Sequence, residues 1–273
     1  MEFSFNRQSI YDKLSHIEEE VNWSLKNSIT AEVPIIPARE IQVLEPIRHP
    51  PKKGLSFPEG RARLLHDLAS IELQAMELGL RTLVEFPLAP QGFREELAAI
   101  TLSEAQHLKM CLEALDAEGF KWGDFPVHTA LWGATSKDDS LLDRILIVHR
   151  YLEGSGLDAG DYFVKRLDAV DSPLMKAAVK QINDEEVGHV YFGSQWYRRI
   201  CELEGVSAQD DFVPRMIQIS TKVPKRVENI NHEVRKRAGF TESEIYFMEK
   251  LREWFLIPLE QRKGMTLEGF IRS

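Results

Sequence analysis

The sequence has little cysteine and no long uninterrupted apolar run. Cys111 and Cys201 are the two cysteines among 273 residues, and each lies within a helical pattern. Two isolated cysteines do not build a disulfide framework, so we expect a reducing, cytoplasmic setting. A membrane span needs roughly 18–20 consecutive apolar residues, and no stretch approaches that length. We therefore expect no membrane partner.

The N-terminus and the charge also exclude classes of protein. The first residues, MEFSFNRQSIYDK, have no basic start followed by an apolar run, so no secretory signal is expected. The net charge of -9 argues against a protein that binds nucleic acid through its overall charge. Hydrophobic residues make up 43% of the chain and charged residues 28%, which is ordinary for a globular protein with a sizeable core.

The pattern of apolar residues predicts an all-α fold, because helical periodicity recurs and no segment alternates with a period of two. Six prolines between residues 32 and 60 exclude a long helix there, and we expect an extended arm that lies on the core. After a first helix near 9–26, long helices are predicted over roughly 61–86, 92–118, 138–170 and 173–204. A short helix near 212–220, a basic loop and a last helix from 242 to about 255 follow.

Four long helices with short or medium connections predict an antiparallel four-helix bundle with accessory segments at both ends. We expect residues 1–59 to form an N-terminal helix and a proline-rich arm that packs on the core. Residues 60–206 would form the bundle, and residues 207–273 a C-terminal helical extension.

The second and fourth long helices each carry a Glu-x-x-His sequence. These are Glu104 with His107, and Glu186 with His189. Residues three apart on a helix share a face, so each pair can present one oxygen and one nitrogen to the same point. A single Glu-x-x-His is weak evidence, because such pairs arise by chance on exposed helices.

The spacing of two further glutamates makes the pattern specific. Glu72 on the first long helix precedes Glu104 by 32 residues, and Glu153 on the third precedes Glu186 by 33. Two hairpins of nearly equal length would bring four carboxylates and two imidazoles to one level, as in dimetal carboxylate proteins. The predicted metal ligands are Glu72, Glu104, His107, Glu153, Glu186 and His189.

The charge and the donor atoms of this set indicate the metal. Four ionised glutamates and two neutral histidines balance two divalent cations, which makes burial of the whole cluster feasible. Mixed oxygen and nitrogen donors without a thiolate suit iron or manganese better than a structural zinc. We expect two iron ions, with iron–manganese or two manganese ions as alternatives, and dioxygen as co-substrate.

Two alternatives remain open from the residues alone. An ordinary bundle could carry solvated Glu and His faces, but Glu72 shares an apolar stripe with Leu65, Leu68 and Met76, where an isolated carboxylate would be costly. Glu77 is a competing ligand on the same helix, although it precedes Glu104 by only 27 residues.

Several ordered blocks resemble a bacterial family of ferritin-like proteins catalogued mainly as a domain of unknown function. They are IELQAMELGL, SEAQHLKMCLEALDAEGFKWGDFPVHTALW, YLEGSGLDAGDYF, DEEVGHVYFGSQWYRRIC and NHEVRKRAGF, spread over roughly residues 60–240. The resemblance implies a ferritin-like four-helix bundle, related in architecture to the diiron hydroxylases of transfer RNA and to rubrerythrins. It places the metal ligands on the same six residues.

Four other side chains are candidates for a supporting role around the metals. His128 lies in a loop rich in aromatic residues, FKWGDFPVHTALWGAT at 120–135, which we call the aromatic loop. His66 lies six residues before Glu72, and His149 lies four before Glu153. Tyr151 could donate a hydrogen bond near the metals. For each, packing in the core is the competing interpretation. The glycines after Glu153 also suggest a bend or bulge in the third long helix.

The function that these patterns favour is a non-haem diiron oxidase or monooxygenase. Electrons would come from an external donor, because no flavin or nicotinamide fingerprint is present. The substrate would be a small molecule, or RNA held by the basic tract at 222–237, for which a solvated surface is the competing interpretation. A homodimer is left open. The rival functions are iron handling or peroxide protection, and a metal-free helical adaptor.

Overall fold

The chain is all-α, as the sequence predicts. The computed structural model describes residues 1–167 and 169–272. No β-strand forms within these ranges, and an isolated parallel bridge joins Val43 and Val127. None of the helices in the described ranges combines the length and apolar character that a membrane crossing requires.

The helices follow the predicted order, and most of their bounds lie within three residues of the predicted ones. They are α1 (Ile10–Lys26), α2 (Pro58–Glu85), α3 (Gln91–Ala117), α4 (Leu141–Ile145), α5 (Gly154–Leu167), α6 (Pro173–Leu203), α7 (Ala208–Ile219), α8 (His232–Arg237), α9 (Glu242–Leu256) and α10 (Leu267–Arg272). Short 3-10 turns occur at Ser4–Asn6, Pro46–Arg48, Trp132–Ala134 and Leu259–Arg262.

The third long helix differs from its prediction as one regular helix over 138–170. A capping box between Ser140 and Asp143 starts α4, and the chain then continues as a π-helix over Leu146–Glu153 before α5 begins. π-Helices are rare and frequently mark functional sites. The irregularity lies before Glu153, whereas a regular α-helix begins at Gly154, so the predicted bend or bulge at the glycines after Glu153 was wrong. Helix α5 ends at Leu167, and residue 168 of the predicted range lies outside the described residues.

The chain divides into two compact units. Unit 1 comprises Met1–Lys137 and Val164–Ile182, and unit 2 comprises Asp138–Phe163 and Asn183–Ser273. The division into segments 1–59, 60–206 and 207–273 stays a prediction.

Unit 1 is built on the hairpin of α2 and α3, against which α1 packs. The core face of α2 follows helical periodicity, and its fully buried apolar residues include Leu65, Ala69, Leu73, Met76, Leu80 and Leu83. Gly79 allows α3 to approach closely, because a Cβ atom there would overlap the side chain of Thr101. This close pairing brings the facing side chains of α2 and α3 within contact distance.

Hydrogen bonds connect the N-terminal arm to other segments of unit 1. The amide of Ala38 donates to the carbonyl of Phe5 at 2.8 Å, and the amide of Leu44 donates to the carbonyl of Val127 at 2.8 Å. The indole of Trp132 donates to the carbonyl of Ile35 at 3.1 Å. The arm and the aromatic loop are thus held together by backbone hydrogen bonds.

In unit 2, two C-terminal helices contact Arg150 of the π-helix, α8 through Arg235 and α9 through Glu244. Helix α9 packs against α7, α8 and α10. The prediction of a continuous basic loop before α9 was wrong, because His232–Arg237 forms α8, capped by the side chain of Asn231. The turn Leu259–Arg262 and α10 were not predicted. Both are short elements, for which local sequence signals are weak.

Candidate metal centre

Three predicted ligands meet between α2 and α3 in unit 1. Nδ1 of His107 lies 3.4 Å from a carboxylate oxygen of Glu72 and 3.4 Å from one of Glu104. The three residues offer ligand atoms within 4.8 Å of one another, and all three are buried. Glu104 and His107 lie one turn apart on α3, and the core face of α2 brings Glu72 to them. This part of the prediction is present in the geometry.

The charges of Glu72, Glu104 and His107, which we call the triad, favour a bound cation. Burial disfavours a charged imidazole, but the hydrogen bonds that the ring donates to Glu104 and Glu72, together with the negative charges of both carboxylates, outweigh burial and raise the pKa of His107 to about 11. Two buried carboxylates therefore hold a positive charge, here a proton on the ring. A divalent cation bound to the same atoms would replace that proton, because a metal ligand must be a neutral imidazole.

The nearby cysteine does not supply a thiolate. Burial, and then the charge of Glu72, raise the pKa of Cys111 well above its usual value. The thiol thus stays protonated, and the donors of the triad are carboxylate oxygen and imidazole nitrogen. A buried Glu–Glu–His group of this kind could hold a metal ion that prefers oxygen and nitrogen ligands.

Unit 2 holds the other three predicted ligands in two contacts. On α6, Nδ1 of His189 lies 3.3 Å from a carboxylate oxygen of Glu186, which repeats the arrangement of Glu104 and His107. At the end of the π-helix, Glu153 accepts from Nδ1 of His149, which lies 2.9 Å from each of its carboxylate oxygens. The side chains of Glu153, Glu186 and His189 are all at most 13% exposed.

His149 also packs closely against α6. Its ring meets Phe192 edge-on with centroids 5.0 Å apart, and a Cβ atom on Gly193 would overlap the Cβ atom of His149. Of the four candidates for a supporting role, His149 therefore contacts a predicted ligand directly. Its tight packing fixes the imidazole that Glu153 uses.

The competing ligand Glu77 has another role. Its carboxylate lies 2.8 Å from Nζ of Lys13 and 2.5 Å from a guanidinium nitrogen of Arg39, and all three side chains are at most 3% exposed. Glu77 thus joins α1 and the arm to α2 through a buried ion-pair network. Glu77 thus already pairs with two cations, whereas Glu72 lies in the group that could hold a metal ion.

The other supporting candidates have packing contacts. His66 stacks on Trp122 with centroids 4.7 Å apart and accepts from the amide of Gly123 at 3.1 Å. Nδ1 of the His128 ring accepts from the amide of Ala130 at 3.3 Å. The hydroxyl of Tyr151 donates to the carbonyl of Pro224 at 2.6 Å. These contacts hold loops in place, which agrees with the packing interpretation for each residue.

Several basic residues of the 222–237 tract form ion pairs within unit 2. Arg235 is fully buried and pairs with Asp158, with nitrogen and oxygen 2.6 Å apart. Lys222 pairs with Asp139 at 3.2 Å, and Lys236 pairs with Glu242 at 2.7 Å. Sequence reasoning missed the buried arginine, because its partner lies 77 residues earlier in the chain.

Comparison with known proteins identifies a family of unknown function. A protein from Haemophilus influenzae described as "Uncharacterized protein" is 29% identical over 213 residues, which cover 74% of this chain and 73% of that protein. No solved structure matches the chain. One family matches residues 6–246, which is most of the chain. The chain therefore belongs to the family described as "Protein of unknown function (DUF455)".

Proposed function

We propose that this protein is a ferritin-like dimetal carboxylate oxidoreductase that oxidises its substrate with dioxygen. The fold proposed for it is an antiparallel four-helix bundle, formed by the α2–α3 hairpin and by the hairpin that leads from α4 through α5 to α6. The dimetal centre would take its ligands from both hairpins. Two iron ions are the proposed metals, with one or two manganese ions as the alternative.

The observation that carries this proposal is the buried triad of Glu72, Glu104 and His107. An isolated pair of carboxylates in a core is costly unless a cation balances it. Here the two carboxylates face one imidazole at 3.4 Å, and together they hold a positive charge. A metal ion is the ligand that such a group fits best.

The repeat of this pattern in unit 2 supports a second metal ion. Glu186 and His189 stand in the same contact as Glu104 and His107, at 3.3 Å. Glu153 precedes Glu186 by nearly the same number of residues as Glu72 precedes Glu104. Four glutamates and two histidines are the ligand set of dimetal carboxylate bundles. We therefore assign Glu153, Glu186 and His189 to the second half of the same centre.

The protein's own residues would bind, orient and balance the charge of the metals. Glu72 and Glu104 supply oxygen donors, and His107 gives up its ring proton when it becomes a ligand. His149 holds the carboxylate of Glu153 in one orientation. Apolar residues that flank the triad, such as Leu73, Met76 and Leu108, are at most 1% exposed and exclude water. When bound, a pair of iron ions supplies the redox chemistry with dioxygen, and an external donor supplies electrons.

The substrate proposed is a small molecule rather than RNA. Three cations of the 222–237 tract, Lys222, Arg235 and Lys236, already pair with carboxylates. Fewer positive charges therefore remain for phosphates, whose binding depends on unpaired lysine and arginine. This favours a neutral or weakly charged organic substrate.

The test is metal reconstitution of the purified full chain. Protein loaded with Fe²⁺ without oxygen should contain two iron ions per chain by elemental analysis, and its absorption spectrum should change when oxygen is admitted. The variant Glu104→Gln should lose iron and the spectral change. Glu113→Gln is the matched control, because Glu113 lies on the exposed face of the same helix.

Three outcomes would contradict the proposal. Wild-type protein that binds no iron would be a metal-free helical protein. Iron retained in full by Glu104→Gln would move the site elsewhere. A particle of about 24 subunits in size-exclusion chromatography would favour iron storage over an enzyme.

A further inference from the structure

A buried arginine of the C-terminal extension contacts the π-helix at the turn that ends with Glu153. Nη1 of Arg235 donates to the carbonyl oxygen of Arg150 at 3.0 Å, and Nη2 donates to Asp158 at 2.6 Å. Arg150 lies in the π-helix, whereas Asp158 lies in α5. One guanidinium group, which is fully buried, therefore connects the two helical segments.

The backbone at Gly154 lies close to this guanidinium group. A Cβ atom on Gly154 would overlap Nη1 of Arg235, so a larger residue there would require the guanidinium group to shift. In an α-helix the amide of Gly154 would donate to the carbonyl of Arg150, four residues before it. Here that amide is directed at the carbonyls of Tyr151 and Leu152 instead. Arg235 supplies a donor to the carbonyl of Arg150.

The register of this segment decides where Glu153 points. A π-helical segment holds more residues per turn than an α-helix, so its conversion to α-helix would shift the following side chains by one residue position. One residue corresponds to a rotation of about 100° around the helix axis. The carboxylate of Glu153 would then turn away from its present direction.

We infer that Arg235 is a positioning residue for Glu153, because it holds the π-helical register through the carbonyl of Arg150 and the carboxylate of Asp158. This inference rests on the proposed function, in which Glu153 is a metal ligand. The contacts of Arg235 themselves do not involve the metal, so its effect on the backbone is measurable without metal.

A neighbouring arginine provides the matched control. Arg252 is also buried, at 5% exposure, and donates to the same carboxylate of Asp158 at 2.5 Å. Its other described hydrogen bond goes to the carbonyl of Glu228, not to the π-helix. Arg235→Met and Arg252→Met therefore each remove an arginine partner of Asp158, but only the first removes a donor to Arg150.

The experiment compares the two variants as full chains. In metal-free protein, hydrogen–deuterium exchange of residues 150–155 should be faster in Arg235→Met than in Arg252→Met. With Co²⁺ as the probe, Arg235→Met should bind the ion about 10–100-fold more weakly than wild type, as is typical when a group that orients a ligand is lost. Its cobalt absorption spectrum should also change. Arg252→Met should keep wild-type affinity and spectrum.

The outcomes separate this inference from the proposed function. Equal changes in both variants would mean that Arg235 only stabilises the fold, and would overturn the inference. If wild-type protein binds no Co²⁺, the proposed function fails, and the exchange data alone decide the role of Arg235 in the register. Should Arg235→Met not fold, Arg235→Lys keeps the positive charge beside Asp158 but cannot span both partners. It should show the same weak Co²⁺ binding, and wild-type binding would overturn the inference.

Discussion

His149 and Glu153 form a two-point contact one turn apart: Nδ1 of the histidine lies 2.9 Å from each carboxylate oxygen of the glutamate. Both residues belong to the π-helix, and both are nearly buried. This contact with the imidazole restricts the rotation of the Glu153 carboxylate. Groups that orient metal ligands in this manner contribute strongly to metal affinity.

The first prediction concerns this contact. The variant His149→Phe keeps a ring against Phe192 and Gly193 but removes Nδ1, so Glu153 loses its partner. We expect the affinity for Fe²⁺ or Co²⁺ to fall about 10–100-fold, measured by titration calorimetry. His16→Phe is the control, because Nδ1 of His16 lies 3.2 Å from Asp12 on α1 but both side chains are partly exposed. Equal affinities of His149→Phe and wild type would refute the positioning role.

The second prediction separates Glu77 from the metal ligands. Glu77→Gln leaves Lys13 and Arg39 buried without a countercharge, which should reduce the free energy of unfolding by about 3–5 kcal/mol. The folded fraction should keep its full metal content. Urea denaturation and elemental analysis measure the two quantities.

The control for Glu77 is an exposed ion pair. Glu253→Gln removes the partner of Lys250 on the surface of α9 and should leave the free energy of unfolding nearly unchanged, because solvent screens an exposed ion pair. A loss of metal in Glu77→Gln that is as large as in Glu104→Gln would show that Glu77 is a ligand after all.

The third prediction is a pH dependence that originates at His66. Burial lowers the pKa of His66 from 6.5 to about 4. The unfolded chain therefore binds this proton more readily than the folded chain, so the stabilisation is complete above pH 6.5 and is lost as the pH falls towards 4. The shift of this pKa from 6.5 to about 4 corresponds to about 3 kcal/mol in the free energy of unfolding.

This dependence is measured by comparing two proteins. The free energy of unfolding of metal-free wild type and His66→Gln is measured by urea denaturation between pH 7 and pH 4. The difference in this free energy between the two proteins should become smaller as the pH falls. The comparison cancels most of the contribution of carboxylates, which titrate in both proteins. A difference in the free energy of unfolding that does not change with pH would mean that the ring of His66 titrates normally in the folded chain.

The fourth prediction concerns Gln74, which lies two residues after Glu72. Its amide oxygen accepts from the amides of Leu131 and Trp132 at 3.2 Å and 3.3 Å, and its nitrogen donates to the carbonyl of His128 at 2.9 Å. Gln74→Leu should leave these buried groups unsatisfied at a cost of about 1–3 kcal/mol each. Hydrogen–deuterium exchange at residues 128–132 should increase.

Gln106→Leu on α3 is the matched control for this variant, because Gln106 is exposed. It should leave exchange in the aromatic loop unchanged. Unchanged exchange in Gln74→Leu as well would mean that other contacts hold the loop.

Much of the helical scaffold could be predicted from the sequence. The bounds of α2, α3 and α6 follow within about three residues from apolar periodicity, from the prolines after α2 and from Pro173 at the start of α6, which are local signals. Pro58, which we counted among the prolines of the arm, is instead the first residue of α2. The triad of Glu72, Glu104 and His107 followed from helical spacing together with the length of one hairpin. These features depend on residues that are close in the chain or related by a regular geometry.

Other features depend on contacts that no local pattern encodes. The π-helix of Leu146–Glu153 has the same apolar character as an α-helix, and its register is held in part by Arg235, 85 residues after Arg150. The burial of Arg235 likewise depends on Asp158, 77 residues before it. Charged residues in a basic tract look solvent-exposed until their distant partners are known.

The pairing of the arm with the aromatic loop has a consequence for the order of folding. The α2–α3 hairpin forms from contacts that are close in sequence, whereas the bond between Leu44 and Val127 closes a long stretch of chain. Closing long loops is entropically slower than building local helices. We therefore expect the contact between Leu44 and Val127 to form after the α2–α3 hairpin.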